Sequence, residues 1–330
     1  MNILIVKNGV IPFKHYGGTE RVIWYLGKEL VKLGHKITYL VEANSTCDFA
    51  KVIVLNPNKD IRSQIPKDID LVHFHYFPDN YTSIDRPYVI TLHGNPNHSN
   101  PLDLNTIFIS SNHASRFGSQ NFVYNGLDWE DYSKVNFQIN RKYFHFLGKA
   151  AWRVKNVRGA INVIKASPKE KIKILGGRRL NFSMGFRWTL SRRAEFHGMV
   201  GGIKKDGLIQ GSKGLIFPVR WHEPFGLAII ESMYFGCPVF GTPYGSLPEL
   251  IHKEVGYLTI EGQEMTEAIL NSDQYNARFC HEYARESFHS KKMTEAYLEK
   301  YQLVLSGQNL NTSPPKRIEL NTIKLLPWNS

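Results

Sequence analysis

Cysteine is scarce in this chain: three residues in 330, at positions 47, 237 and 280, with no C-x-x-C spacing. That scarcity excludes a disulfide framework and a zinc ribbon, and it points to a reducing compartment. Long apolar runs are missing too, none approaching the ~18 residues that a membrane-spanning helix needs. The sequence passes at once into the strand-like run Asn2–Val6, so no secretory leader is expected and a cytoplasmic location is. Zinc-finger spacing and an RNP-like aromatic signature are also lacking, so nucleic acid is not an expected partner. Internal repeats and long low-complexity tracts do not occur. Acidic residues are the minority, 29 against 41 lysines and arginines, which leaves a net charge of +12. Such a surplus fits a solvated surface, phosphorylated substrates or peripheral contact with an anionic membrane.

What is present is length for two domains. In the first half, short β-branched runs alternate with helical stretches: strands are expected at 2–6, 37–41, 52–55, 71–75, 88–92 and 106–109. The pattern restarts near Tyr143, with strands expected at 144–147, 172–175, 194–196, 214–217 and 239–240, and helices at 156–166, 204–210, 225–235 and 264–271. This βα alternation predicts doubly wound parallel sheets with ligand crevices at the C-terminal strand ends. The polar stretch 128–140 separates the two patterns. Residues 308–330, rich in Asn, Pro and Lys, read as a tail that orders only on a partner or a membrane.

The most informative stretch is Trp221-His-Glu-Pro-Phe-Gly-Leu-Ala-Ile-Ile-Glu231. It places two carboxylates, Glu223 and Glu231, around a helix start marked by Pro224 and Gly226. A helical rise of about 1.5 Å per residue sets them roughly 9 to 12 Å apart. That exceeds most of the roughly 5 to 9.5 Å separations at which two carboxylates share one glycosidic bond. The spacing fits instead a ligand about one nucleotide-sugar long, gripped by its hydroxyls at both ends. The helix start between them offers N–H groups to an anionic diphosphate.

Together with Ser232-Met-Tyr-Phe-Gly-Cys-Pro-Val239 and Gly245-Ser-Leu-Pro-Glu-Leu-Ile251, this stretch resembles the C-terminal domain of retaining GT-B glycosyltransferases of family 4. The resemblance runs from the first strand to about Leu305. It implies an α/β fold of the GT-B type, two Rossmann-like domains facing each other across a cleft. Residues 1–137 would form the acceptor-side domain, with a C-terminal helix at about 291–307 packing back on it. Residues 138–290 would bind the donor, and 308–330 would form the tail.

The resemblance also assigns roles. Phe144-His-Phe-Leu-Gly-Lys149, followed by Arg153-Val-Lys155-Asn156, is similar to the family segment whose two cations bind the nucleotide diphosphate. Lys149 and Lys155 are expected to stabilise charge on the leaving group. Lysine stands at 149 where arginine is commoner, and the loop is about one residue longer than usual, so Arg153 or Arg158 could take the second position. Glu231 is expected to accept from the ribose hydroxyls. Glu223 is expected at the donor sugar's hydroxyls, beside the backbone N–H groups of Phe225, Gly226 and Leu227. In the first half, Gly17 and Gly18 would let backbone approach the donor phosphate or the acceptor. His93, at a strand's C-terminal end, would position the sugar and polarise a hydroxyl. His73 and His75 lie two apart on a strand and share a face, but no acidic ligand motif accompanies them, and no metal is expected. Asn125-Gly126-Leu127-Asp128 reads as a structural turn. Phe196-His-Gly-Met-Val200 resembles the segment whose backbone reads the base; UDP is preferred, with GDP and ADP left open.

The function implied is transfer of a hexose from a nucleotide sugar to the hydroxyl of a glycan or lipid-linked acceptor, with retained configuration, no cofactor and no metal. Cell-surface polysaccharide or lipopolysaccharide biosynthesis is the expected setting. Two alternatives share the fold: a non-hydrolysing sugar-nucleotide epimerase, and a non-catalytic nucleotide-sugar-binding partner subunit. The acceptor pocket is expected in loops 8–16 and 95–103.

Overall fold

A computed structural model describes residues 1–12, 17–182, 184, 186–320 and 322–330. The chain divides into two compact units, one of residues 1–128 with 288–320 and the other of 129–287 with 321–330. Part of the loop expected to shape the acceptor pocket, residues 13–16, lies outside the described residues.

The first unit contains β1 (Asn2–Lys7), α1 (Gly18–Lys32), β2 (Lys36–Val41), β3 (Lys51–Val54), β4 (Leu71–Phe74), β5 (Tyr88–Thr91), β6 (Thr106–Ile107) and α2 (Ser111–Ser115). Among the described residues its sheet has six strands in the order β3-β2-β1-β4-β5-β6, every pair parallel. Leu4, Val6, Leu40, Val72, Phe74 and Ile90 meet in a dry core on this sheet, which explains the near-continuous apolar strands of the sequence.

The second unit repeats the plan with β7 (Tyr143–Leu147), α3 (Val157–Ala166), β8 (Ile172–Leu175), β9 (Leu180–Asn181), β10 (Arg187–Trp188), β11 (Ala194–Phe196), α4 (Gly202–Gln210), β12 (Ser212–Phe217), α5 (Leu227–Tyr234), β13 (Val239–Gly241), α6 (Leu247–Leu250), β14 (Gly256–Leu258), α7 (Gly262–Leu270) and α8 (Ala277–Ser287). Its sheet is parallel in the order β11-β8-β7-β12-β13-β14. The sequence pattern misses β14 and the antiparallel pair β9–β10, elements of two or three residues each. Phe225 and Gly226 precede α5 rather than beginning it. Gly226 caps the helix at φ +94°, a left-handed conformation open to glycine.

The chain then returns to the first unit as α9 (Ser290–Leu305). The Asn125–Asp128 turn receives it. Leu127 exchanges backbone hydrogen bonds with Phe288 and Ser290, and a Cβ on Gly126 would meet the His289 carbonyl at 2.6 Å. Buried Asp128 is paired with Lys28 of α1 at 2.7 Å.

The expected free tail is instead packed on both units. Asn311 is buried and donates to the Leu104 and Thr106 carbonyls along β6, and buried Arg317 donates to the Pro96 carbonyl at 2.7 Å. Farther on, the Asn329 N–H donates to the Ile260 carbonyl and the Asn329 carbonyl accepts from Gly262 N–H, while Trp328 packs against the second core. Polar residues that read as disorder in the sequence are satisfying edge-strand carbonyls and closing a core.

Five histidines sit in these interiors. Burial pushes His113 and His145 down to about 3, and it holds His73 and His75 well below the usual imidazole value. His93 keeps some surface exposed but is also held at about 3, by burial first and then by Lys7 and His113. The unfolded chain therefore binds more protons between about pH 6.5 and 3. Stability is complete above pH ~6.5 and falls as pH drops through that window. Thermal melting at pH 7.5 and pH 5 should show a clearly lower midpoint at pH 5; equal midpoints would count against neutral, buried histidines.

Candidate active site

In a doubly wound sheet the ligand crevice opens where the strand order reverses. In the second unit that point lies between β7 and β12. The chain leaving β7 carries Gly148, Lys149 and a 3-10 turn at Arg153–Lys155; the chain leaving β12 carries Trp221 and Glu223. The two are tied together. The Arg220 N–H donates to the Val154 carbonyl at 2.7 Å, and the Asn156 amide donates to the Pro218 carbonyl at 3.0 Å. Asn156 itself adopts a left-handed conformation and caps α3 through Gly159 N–H.

This tether brings Lys155 onto Glu223. Lys155 Nζ lies 2.5 Å from Glu223 Oε2, and Trp221 Nε1 donates to the same oxygen at 2.8 Å. Both charged side chains are largely buried, and Lys155 also lies 5.1 Å from the centroids of the Trp221 and Phe217 rings. The backbone around Glu223 is set by the Gly245-Ser246 turn: Ser246 N–H donates to the Glu223 carbonyl at 2.9 Å, and Ser246 Oγ donates to the Phe225 carbonyl at 2.6 Å. Gly245 is at φ +67°, and a Cβ there would lie 2.3 Å from the Glu223 backbone, so only glycine permits the approach. Immediately beyond, α5 begins at Leu227, the positive end of a helix dipole.

Glu231 is buried one helical stretch further on, not exposed as a lone helical glutamate would be. It pairs with Lys205 of α4 and accepts from Tyr132 Oη at 2.7 Å. Beneath α5, His145 hydrogen-bonds Ser212 Oγ at 2.7 Å and Ser232 Oγ at 2.9 Å, a buried polar brace joining β7, β12 and α5. Sequence reasoning missed Tyr132, Lys205 and His145 as site-supporting residues. Tyr132 and Lys205 belong to no motif, His145 is an unremarked position within the Phe144–Lys149 segment, and their partners lie 26 to 99 positions away.

The other expected cations are placed differently. Lys149 is exposed and lies 5.4 Å above the Trp152 ring, which meets Trp221 edge-on at 6.3 Å. Arg153 and Arg158 line a cavity of about 370 Å³ with Arg187 and Arg220, whereas Lys149, Lys155 and Glu223 do not line it. The Phe196–Val200 segment meets its neighbours through glycine: Gly198, at φ +70°, accepts from Gly176 N–H at 2.7 Å and donates to the Gly177 carbonyl at 3.1 Å.

In the first unit, Gly17 caps α1 without a side-chain bond, and Gly18 opens the helix. His93 follows β5, and its Nε2 is 2.8 Å from His75 Nδ1. His73 is engaged on both nitrogens, by Tyr301 Oη and Thr91 Oγ1, each at 2.8 Å. Among the described residues no three His, Cys, Asp or Glu side chains are grouped to hold a metal ion, and no helix is long and apolar enough to cross a membrane.

Two parallel six-stranded sheets with these crossovers are the fold of GT-B glycosyltransferases. Residues 141–272 match the family model described as glycosyl transferases group 1. The solved structure of AviGT4, a glycosyltransferase involved in avilamycin A biosynthesis, aligns with a TM-score of 0.74 at 18% identity, covering 93% of this chain and 98% of that one. The Anabaena protein Alr3699/HepE in complex with UDP-glucose aligns with a TM-score of 0.64 at 16% identity, over 92% of this chain and 99% of that one. An uncharacterised 41.2 kDa protein in the cps region of Klebsiella pneumoniae is 28% identical over 94 residues, 26% of each chain. Fold and matched segment support a group 1 glycosyltransferase, and the comparisons favour neither the epimerase nor the non-catalytic subunit.

Proposed function

We propose that the protein is a retaining glycosyltransferase that moves a hexose from a nucleotide sugar, UDP-linked by preference, to a hydroxyl of a glycan or lipid-linked acceptor. The observation that carries this reading is the buried Lys155–Glu223–Trp221 cluster at the switch point of the second sheet, next to the start of α5. The UDP-glucose complex of the Anabaena relative supports the donor class, and the cps-region relative supports a role in surface polysaccharide synthesis.

In the proposed reaction the bond from the anomeric carbon to the diphosphate oxygen breaks, and its electron pair leaves with the nucleotide. The acceptor oxygen bonds to the same carbon from the same face, and its proton passes to a diphosphate oxygen. Lys155, Lys149 and the start of α5 would stabilise the charge developing on the leaving group. Glu223 and His93 would hold sugar hydroxyls, and Glu231 the ribose. Gly17 and Gly18 would let the backbone of the first unit come close to a phosphate or to the acceptor. Fixed cations and a helix end make a metal unnecessary for this chemistry.

The test is product analysis. Incubated with UDP-glucose, chelator and a panel of glycan and lipid-linked acceptors, the protein should release UDP and give a glycoside whose anomeric proton coupling matches that of the donor. An inverted product would overturn the retaining mechanism. Loss of turnover on chelation, restored by a divalent cation, would overturn metal independence.

A further inference from the structure

The β9–β10 hairpin of the second unit is turned inside out. An antiparallel ribbon lying on a protein body normally buries apolar side chains and shows polar ones to water. Here the alternation is reversed. Arg187 and Thr189 face inward and are buried, while Phe182, Phe186 and Trp188 are 74%, 62% and 62% exposed, with Leu180, Met184 and Leu190 exposed alongside them. The inward arginine is accommodated: it donates to Thr189 Oγ1 at 2.9 Å and to the Arg178 carbonyl at 2.8 Å, and it lies 5.1 Å from the Phe196 ring centroid. Arg179 binds the carbonyls of Thr189, Ser191 and Ala194, locking the strand that leaves the hairpin. The structure therefore holds the aromatic face outward by bonds at its back.

The charge around this face has one sign. Residues 176–193 carry five arginines and no acidic residue. Arg178 and Arg192 are exposed beside the hairpin. Met184 and Phe186 also form part of the wall of the 370 Å³ cavity whose cations are Arg153, Arg158, Arg187 and Arg220. Arg158 donates to the Phe186 carbonyl at 3.1 Å, fastening the hairpin to the start of α3. Aromatic side chains flanked by arginines match the boundary between lipid headgroups and acyl chains, where rings lie among the carbonyls and cations meet phosphates.

We infer that the β9–β10 hairpin is a membrane-contact element that inserts Phe182, Phe186 and Trp188 into an anionic lipid surface and sets the neighbouring arginines at phosphate level. This gives the second unit a docking surface of its own, argued from the hairpin's exposed face and its arginines and not from the sugar-transfer reading. A general basic surplus would attract the bilayer from any side, whereas the hairpin fixes which face meets it.

The test is flotation of the full-length protein with vesicles of phosphatidylcholine containing about 30 mol% phosphatidylglycerol, and with phosphatidylcholine alone. The wild type should float with the anionic vesicles and, within the same assay, hardly at all with the neutral ones. The combined Phe182→Ser, Phe186→Ser and Trp188→Ser variant should lose about tenfold or more in partitioning while keeping the wild-type melting temperature, because the replaced side chains are exposed. Arg178→Glu with Arg192→Glu should weaken binding separately, and raised salt should weaken the wild type in the same way. Tryptophan emission should shift to the blue on vesicle binding, and much less so in Trp188→Phe. Undiminished binding by the triple variant, or no binding by the wild type, overturns the inference. So does a concentration-dependent dimer that the triple variant dissolves without any vesicle binding, which would make the face a contact between copies of this chain.

Discussion

Replacing Lys155 with alanine should lower turnover by about 10²–10³-fold, the loss typical when one preorganised donor to a developing anion is removed. Lys155 is the one expected diphosphate cation that the structure holds in a protected position against a site carboxylate, at 2.5 Å from Glu223. The same change has a second consequence. Removing one partner of a buried ion pair leaves the other charged and unpaired, at a cost of about 3–5 kcal/mol. The melting temperature of Lys155→Ala should therefore fall along with its rate. The two effects separate in the double variant Lys155→Ala with Glu223→Gln, where the stranded charge is gone: stability should largely recover and turnover should not. UDP release from UDP-glucose in the presence of acceptors measures the rate. Near-normal release by Lys155→Ala would end its role at the leaving group and transfer that role to Arg153 or Arg158, which line the adjoining cationic cavity.

Replacing Glu231 with alanine should abolish the thermal shift produced by UDP in the presence of chelator. Two hydrogen bonds from ribose hydroxyls to a carboxylate are worth about 1.5–3 kcal/mol each, so affinity should fall about a hundredfold or more. The carboxylate is buried in α5 and already oriented by Tyr132 and Lys205. Pre-orientation of this kind lets a ligand bind without first fixing the side chain. Glu231→Gln keeps the shape and the tyrosine bond, and it should lie between alanine and wild type. An unchanged UDP shift in Glu231→Ala would remove it from the ribose site. A shift with GDP or ADP but not UDP would correct the base. No shift from any nucleotide in the wild type would bring forward the non-catalytic reading.

The parts of this protein legible in its sequence are those with a local cause. Strands such as 2–6 and 172–175 announce themselves because both faces of a parallel sheet are covered, which demands unbroken β-branched and apolar runs. Pro224 and Gly226 mark the start of α5, the one because its ring fixes φ and the other because glycine opens the left-handed conformation found there. Glu223 and Glu231 stand out through their spacing within one motif. The tail 308–330 was misleading because its composition describes a disordered segment, whereas Asn311, Arg317 and Asn329 are used to satisfy carbonyls that exist only once the sheets and helices are assembled.

By itself, then, the chain determined its two parallel βα patterns and the helix start between two carboxylates, since each follows from residue type and short-range spacing, whereas the nearby cations were named only through the family resemblance. Only the tertiary structure decided which cation meets Glu223, that Glu231 is held by Lys205 and Tyr132, and that the β9–β10 hairpin shows its aromatic face outward. The physical reason is the same in each case: ion pairing, burial and facing depend on groups brought together from far along the chain, and no local pattern encodes which of several lysines or which side of a ribbon will be chosen.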